Sequence, residues 1–328
     1  MKALSRKEFL KLAAGAGAGV ALIAAGCGGG KSSSTPKPSH PALRRSASAE
    51  PAPSSSHSFK GPGMTVVKGP DPASITRAAV AGLGGMSRFV GKGDDVVVKP
   101  NICTDYHGPE YAATTNPAVV AALVKMALEA GAQRVRVMDQ PFGGTAANAY
   151  QVSGIAPAVE QAGGTMVIVS SVDFREASIP RGRDITSWPF YSGILDADVV
   201  INVPIAKTHG AAVLTLGCKN YMGVIANPNL IHQNLMQRVA DLISARVPDL
   251  TVLDAVRILT ANGPTGGDLA DVKELDTVVA SPDVVAVDAY ACSFFGLAPS
   301  QVPYIGYAAD MGVGTMDLEK IAIAKSQV

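Results

Sequence analysis

The chain has 328 residues, 47% of them apolar and 17% charged, a balance that fits a globular protein with a substantial core, in one large or two modest domains. Its net charge of +1 conceals a division, because residues 1–63 hold nine Lys or Arg against two acids and leave the remainder mildly acidic. That argues against nucleic acid as a partner.

The N-terminus reads as a targeting segment rather than part of the fold. Lys2, Arg6, Lys7 and Lys11 form a positive region ahead of the apolar run Leu12–Ala25. Ser5–Lys11 resembles a twin-arginine export signal with Lys7 where the second Arg is usual. Ala24–Ala25–Gly26 before Cys27 resembles a bacterial lipobox, with Ala24 in place of the commoner Leu and Cys27 as the residue that is lipidated. The alternative is an uncleaved anchor, but the apolar run is short against the ~20 residues of a membrane span. Residues 1–27 are therefore expected to direct export to the cell envelope. There a lipid on Cys27 would tether the protein, either on the outer side of the cytoplasmic membrane or in the periplasm. Residues 28–63, rich in Gly, Ser and Pro, have too little apolar surface to offset ordering and read as a disordered tether.

From residue 64 to 328 the pattern is that of one α/β domain. Met64–Gly69 reads as a strand and Ser74–Val90 as a helix. Val96–Asn101 is a buried strand with a polar tip. Asn116 is the N-cap and Pro117 the first residue of a helix that runs to Ala130. Val135–Asp139 is a strand, followed by a helix to Gln161 and a strand Met166–Ser170. Ala177–Trp188 breaks the rhythm as an antiparallel excursion. Val199–Val203 is a continuous apolar strand stopped by Pro204. Leu235–Ala245 reads as a helix, and Leu250–Val256 and Leu275–Ala280 as strands. Asn262–Gly267 reads as a flexible, lid-like loop, and Asp283–Phe295 and Pro299–Met311 as closing helices. Strands alternating with helices predict a mostly parallel twisted sheet flanked by helices.

Open α/β sheets place their sites outside the carboxyl ends of the strands. Three strand ends here carry reactive tips: Lys99–Pro100–Asn101, Asp139–Gln140–Pro141 and Pro204–His209. A fourth carboxylate, Asp254, lies near the end of its own strand. If the strands are neighbours, these side chains converge on one rim where lysines face carboxylates, a set able to hold an anion, orient a carbonyl or move a proton. Asp288 either reaches that rim or bonds a neighbouring loop as a buried carboxylate.

Metal chemistry is a separate expectation. His107, His209 and His232 are the histidines of the α/β part, and Cys103 and Cys218 lie near two of them. They are candidate ligands for a divalent metal, although no H-x-x-x-H or C-x-x-C pair supports them. Cys103 and Cys218 are equally a candidate disulfide in an oxidising compartment. Three cysteines without a C-x-x-C run argue against an iron–sulfur cluster. Gly143–Gly144 and Gly217–Asn220 match no nucleotide fingerprint.

The motifs VVVKPN, TTNP, INVPIAKTHG, LTLGCKNYMG, PDLTVLDAV with NGPTGG, and VVAVDA with FFGL occur in this order across residues 94–320. Together they resemble the domain-of-unknown-function family 362. The resemblance implies no particular activity. Some members carry ferredoxin-like cysteine clusters, absent here, and some are exported by the twin-arginine route. The positions matching its motifs are Lys99, Asn101, Lys207, His209, Lys219, Asn220, Asp254 and Asp288.

These readings combine into an exported, membrane-tethered protein acting on a small anionic or carbonyl compound. Lys99 and Lys207 would hold or polarise the ligand, His209 would transfer a proton, and Asp139 or Asp254 would orient or accept. Asn101, Lys219, Asn220 and Asp288 are candidate ligand contacts. The alternative is a lipoprotein that captures a small ligand on the same rim without chemistry. In either case Lys207 and His209 are expected to be partly exposed.

Overall fold

The computed structural model describes residues 61–328. The export segment, the lipobox with Cys27 and nearly all of the tether lie outside the described residues. Among those described, no helix is long and apolar enough to cross a membrane.

The chain begins with β1 (Met64–Lys68) and α1 (Pro72–Gly82), whose N-cap Asp71 accepts from the Ser74 amide. The expected helix to Val90 stops early because Gly84 and Gly85 take positive φ, leaving one 3₁₀ turn at Met86–Arg88. Next come β2 (Asp95–Pro100) and α2 (Pro117–Glu129), with Asn116 at the N-cap and Pro117 in the first turn as the sequence indicates. β3 (Arg134–Val137) follows. The single helix expected up to Gln161 is split by Gly154 at φ 70° into α3 (Ala146–Val152) and α4 (Ile155–Gln161). β4 keeps only Thr165–Met166 of its expected length.

The excursion is a separate antiparallel pair, β5 (Phe174–Ser178) with β6 (Ser187–Tyr191). A one-turn helix α5 (Ser192–Leu195) leads into β7 (Val199–Val203). Pro204 interrupts the chain without ending the sheet, because β8 (Ile205–His209) follows at once and pairs with β9 (Val213–Thr215). The PIAKTHG segment is thus strand where a loop is expected. After it come α6 (Gly217–Asn220), α7 (Leu235–Ala245), β10 (Leu250–Leu259), β11 (Val272–Ser281), α8 (Val284–Ala291) and α9 (Pro303–Asp310). A last strand, β12 (Ile323–Gln327), lies beyond the helices expected to close the chain. Its mostly exposed residues lack the apolar alternation that marks a half-buried strand.

The large sheet runs β12-β1-β11-β10-β7-β2-β3-β4, with β8 and β9 attached through β10. Most pairings are parallel, and β11 runs antiparallel to both of its neighbours, β1 and β10. Strand alternation divides the core between the two faces. Val96, Val98 and Ile201 pack with Ile75, Leu123 and Ile155 of α1, α2 and α4. Val97, Val200 and Leu253 pack with Ile243, Val285 and Ile305 of α7, α8 and α9. All five residues of β7 are buried. Each fully buried Val or Ile contributes about 1.5–3 kcal/mol. That tolerates Asn202 in their midst, whose amide bonds Gly217 O at 3.0 Å and the Asn220 amide at 2.8 Å.

Candidate functional site

Three parallel strands, β2, β3 and β7, deliver their carboxyl ends to the same region, as their register requires. At those ends lies a cleft of about 330 Å³ lined by Lys99, Asp139, Lys207, His209 and Lys219, among others. Asn101, Cys103, Asn220 and His232 also reach its wall.

Lys99 continues the face of Val97 on β2, which points it inward. It is wholly buried and forms an ion pair with Asp139 at 2.7 Å. Its Nζ also donates to Pro100 O at 2.8 Å and Asn220 Oδ1 at 2.9 Å. Asp139 accepts from the backbone of Ile102 at 2.5 Å and of Gln140 at 2.9 Å. Burial pushes the pKa of the Lys99 ammonium down and that of the Asp139 carboxyl up, and the opposite charge of the partner works against each shift. Gly223 passes directly over this pair, where a Cβ would collide with the Asp139 carboxylate. That accounts for the glycine in KNYMG.

Asn220 links the buried groups. Its Oδ1 accepts from Lys99 and, at 3.0 Å, from Asn101 Nδ2, while its amide donates to Lys99 O and Asn202 Oδ1. Asn101 Oδ1 in turn accepts from Lys207 at 2.9 Å. Lys207 also donates to Ala113 O at 2.6 Å and Pro264 O at 2.9 Å, and its Nζ lies 3.4 Å from Cys103 Sγ. Lys207 is fully buried, contrary to the expectation of partial exposure. A strand residue whose ammonium is shared among backbone carbonyls has no free direction left. The same bond ties down the expected lid, since Pro264 accepts from Lys207 and the Gly263 amide donates to Thr208 Oγ1.

Lys219, on α6, is held differently. It is 8% exposed, and among the described residues its only hydrogen-bond acceptor is the Met222 thioether at 3.5 Å, a weak one. Burial first, then the charge of Lys207, lowers its pKa to about 8. Two side-chain atoms of cleft residues, Gln140 Oε1 and Thr215 Oγ1, are buried and without a partner among the described residues. Thr215 and Met222 carry no spacing signal that marks them in the sequence. Only the fold of β9 and of the 3₁₀ turn after α6 around the strand ends brings them to the cleft.

His209 is half-buried. Its Nδ1 accepts from the amides of Ala211 and Ala212, both at 3.1 Å. The ring proton therefore sits on Nε2. Burial, followed by Lys219 and Lys207, lowers its pKa to about 3. At neutral pH the His209 ring is uncharged and offers its Nε2–H as a donor.

Two expected site residues lie elsewhere. Asp254 sits inside β10, where its carboxylate accepts from the amides of Asn116 at 2.7 Å and Val256 at 2.9 Å. It anchors the start of α2, and burial raises its pKa to about 6. Asp288 accepts from Gly217 and Cys218 at 2.6 and 2.9 Å, and burial raises its pKa to about 7. Of its two readings, the structure selects the buried carboxylate bonding a neighbouring loop. It thereby fixes the start of the helix that carries Lys219.

Metal ligation finds no geometric support. Among the described residues, no three His, Cys, Asp or Glu side chains form a group that could hold a metal ion. His107 stacks on Tyr111 at 4.5 Å between ring centres and is not part of the cleft wall. Cys103, Cys218 and Cys292 are free thiols, so the considered Cys103–Cys218 bridge is not formed.

Fold and site together define an α/β protein with a lysine-lined, small-molecule-sized cleft at the carboxyl ends of its parallel strands. The model of the family described as Domain of unknown function (DUF362) matches residues 96–293, more than half the chain, and the chain belongs to that family. The thylakoid-associated protein sll1697 of Synechocystis sp. is 29% identical over 252 residues, covering 72% of this chain and 74% of its own. Among solved structures, the lactate racemase apoprotein from Thermoanaerobacterium thermosaccharolyticum is similar at 14% identity and a TM-score of 0.45, over 70% of this chain and 56% of that one. A protein from Thermotoga maritima is similar at 12% identity and a TM-score of 0.41, over 69% and 60% of the respective chains.

Proposed function

We propose that the cleft binds and acts on a small anionic or carbonyl compound. The observation that carries this is the charge balance of the wall. Three buried lysines share one carboxylate, and that carboxylate is already committed to Lys99. An unmatched buried ammonium costs several kcal/mol unless a counter-charge arrives. A carboxylate in the cleft supplies it to Lys219, while Thr215 Oγ1 and the Nε2–H of His209 offer further donors. Lys99 and Lys207 act through their field and by holding the wall rigid. Lys219 is the group able to exchange a proton near neutral pH.

The test is calorimetric titration of the protein with a series of small carboxylates, with and without a 2-oxo group. Binding by the parent and its loss in Lys219→Met support the reading. Equal binding by both proteins places the anion elsewhere. Binding of anions with no turnover of any 2-oxo member would favour the capture lipoprotein over the enzyme.

The address proposed for this chain is the cell envelope, through export and lipidation of Cys27. Its support is the positive region, the apolar run and the small residues before Cys27. A relative is named for association with the thylakoid. Metabolic labelling with a palmitate analogue tests it, because Cys27→Ser should lose the label and leave the membrane fraction.

A further inference from the structure

An amine can attack a carbonyl carbon only as the free base, and an ammonium held by a full set of hydrogen-bond acceptors keeps its proton. Lys99 fails this requirement because it is paired to Asp139, and Lys207 because it is shared among Asn101, Ala113 and Pro264. Lys219 meets it. Among the described residues it is hydrogen-bonded only to a thioether, it is desolvated, and it shares the cleft wall with two further ammonium groups, the setting in which a lysine becomes a nucleophile. The cleft beside it also holds what such a reaction needs next. Thr215 Oγ1 and Gln140 Oε1 are buried and without a partner among the described residues, and His209 presents a fixed Nε2–H.

We propose that Lys219 forms an imine with the carbonyl group of a small 2-oxo acid bound in the cleft. This rests on the reading of the cleft as a small-anion site and specifies its chemistry. The Lys219 Nζ lone pair forms the C–N bond, the carbonyl π pair moves to oxygen, and one N–H proton passes to that oxygen to give the neutral carbinolamine. The nitrogen lone pair so restored expels the hydroxyl, which leaves as water with a second proton, balanced by loss of the remaining N–H proton from the imine nitrogen. The net change is amine plus carbonyl to imine plus water, without an oxidant or reductant. Protonated, the imine draws electrons from C3 of the acid, whose bond to hydrogen is then the one weakened, the proton leaving to water. The carboxylate of the ligand faces the Thr215 hydroxyl and the His209 N–H, and the Gln140 amide oxygen accepts from the carbinolamine hydroxyl.

The experiment incubates the folded protein with pyruvate or glyoxylate, quenches with borohydride, and maps the reduced adduct by peptide mass spectrometry. Calorimetry with pyruvate and with propanoate, which has no ketone, runs alongside. The expected result is an adduct on the Lys219 peptide with both keto acids, absent from Lys219→Arg, whose guanidinium stays protonated. Below pH 8, where the Lys219 pKa lies, the trapping rate should rise by roughly tenfold per pH unit. Should Lys219→Arg fail to fold, the map of the parent still decides, because surface lysines give adducts on other peptides. Binding of both acids without an adduct on Lys219 overturns the imine and leaves the anion site standing. Absence of both binding and adduct overturns the two together.

Discussion

Lys99 and Lys207 are carried by β2 and β8, and Lys219 by the single turn of α6. All three line one cleft, but they are held in opposite ways. The strand lysines are wholly buried, and each ammonium has at least three oxygen acceptors. The helix lysine is almost as deeply buried and, among the described residues, has only a sulfur acceptor. A buried ammonium with a full set of acceptors is part of the scaffold, since moving it would leave those acceptors unpaired. One with an incomplete set is retained at a cost to stability, and a ligand can remove that cost. Chemistry is therefore assigned to the loosely held end of the cleft and rigidity to the other.

The largest effect expected from this division is at Lys99. Lys99→Met leaves the Asp139 carboxylate buried without its cation, and breaking a buried pair in this way costs about 3–5 kcal/mol. Urea denaturation should report a loss of that size, and adding Asp139→Asn should recover part of it. A loss below about 1 kcal/mol would mean that the pair is not part of the scaffold. Lys207 comes next. Lys207→Met strips a donor from Ala113 O, Pro264 O and Asn101 Oδ1 but leaves no opposite charge behind. The expected cost is about 1–3 kcal/mol per group that finds no water. Hydrogen exchange should also quicken at residues 262–267, which lose their tie to β8. Unchanged exchange there would show that the loop is held by its own turns.

The sequence carries the skeleton of this cleft well and its hierarchy poorly. Apolar runs with polar tips at Lys99, Asp139 and Lys207 are legible because parallel strands align their carboxyl ends whatever lies between them. The exposure of those tips is not legible. Pro204 suggests an ending, yet Ile205, Lys207 and His209 continue as strand because β10 and β9 supply pairing partners distant in sequence. Asp254 and Asp288 have the same letters and the same motif setting as cleft residues. Which backbone amides they accept from depends on how α2 and α6 approach them, and no local spacing encodes that. Lys219 is legible as a member of a motif, but its missing acceptor is a property of three dimensions.

The smallest expected change in stability is at Lys219, and there its sign matters more than its size. The fold lowers the pKa of this ammonium from 10.5 to about 8. A depressed lysine favours the folded state least where it must stay charged inside it. Above the unfolded value the group is neutral in both states and costs nothing. As the pH falls from there through the folded value, the unfolded chain is protonated first and stability is lost. Lys219→Met removes the titration and keeps most of the packing volume. Relative to the parent, the variant should therefore gain stability between about pH 10.5 and pH 8, with the gain levelling off below that. A limit of about 3 kcal/mol follows from 1.36 kcal/mol per pKa unit, and relaxation with water reaching the cleft reduces that penalty, leaving a net difference of about 1 kcal/mol at pH 7. Paired denaturation curves of the two proteins at pH 7 and pH 10 measure it. If the difference stays flat across that window, the Lys219 ammonium is as well satisfied as those of Lys99 and Lys207. The contrast between the two ends of the cleft then disappears.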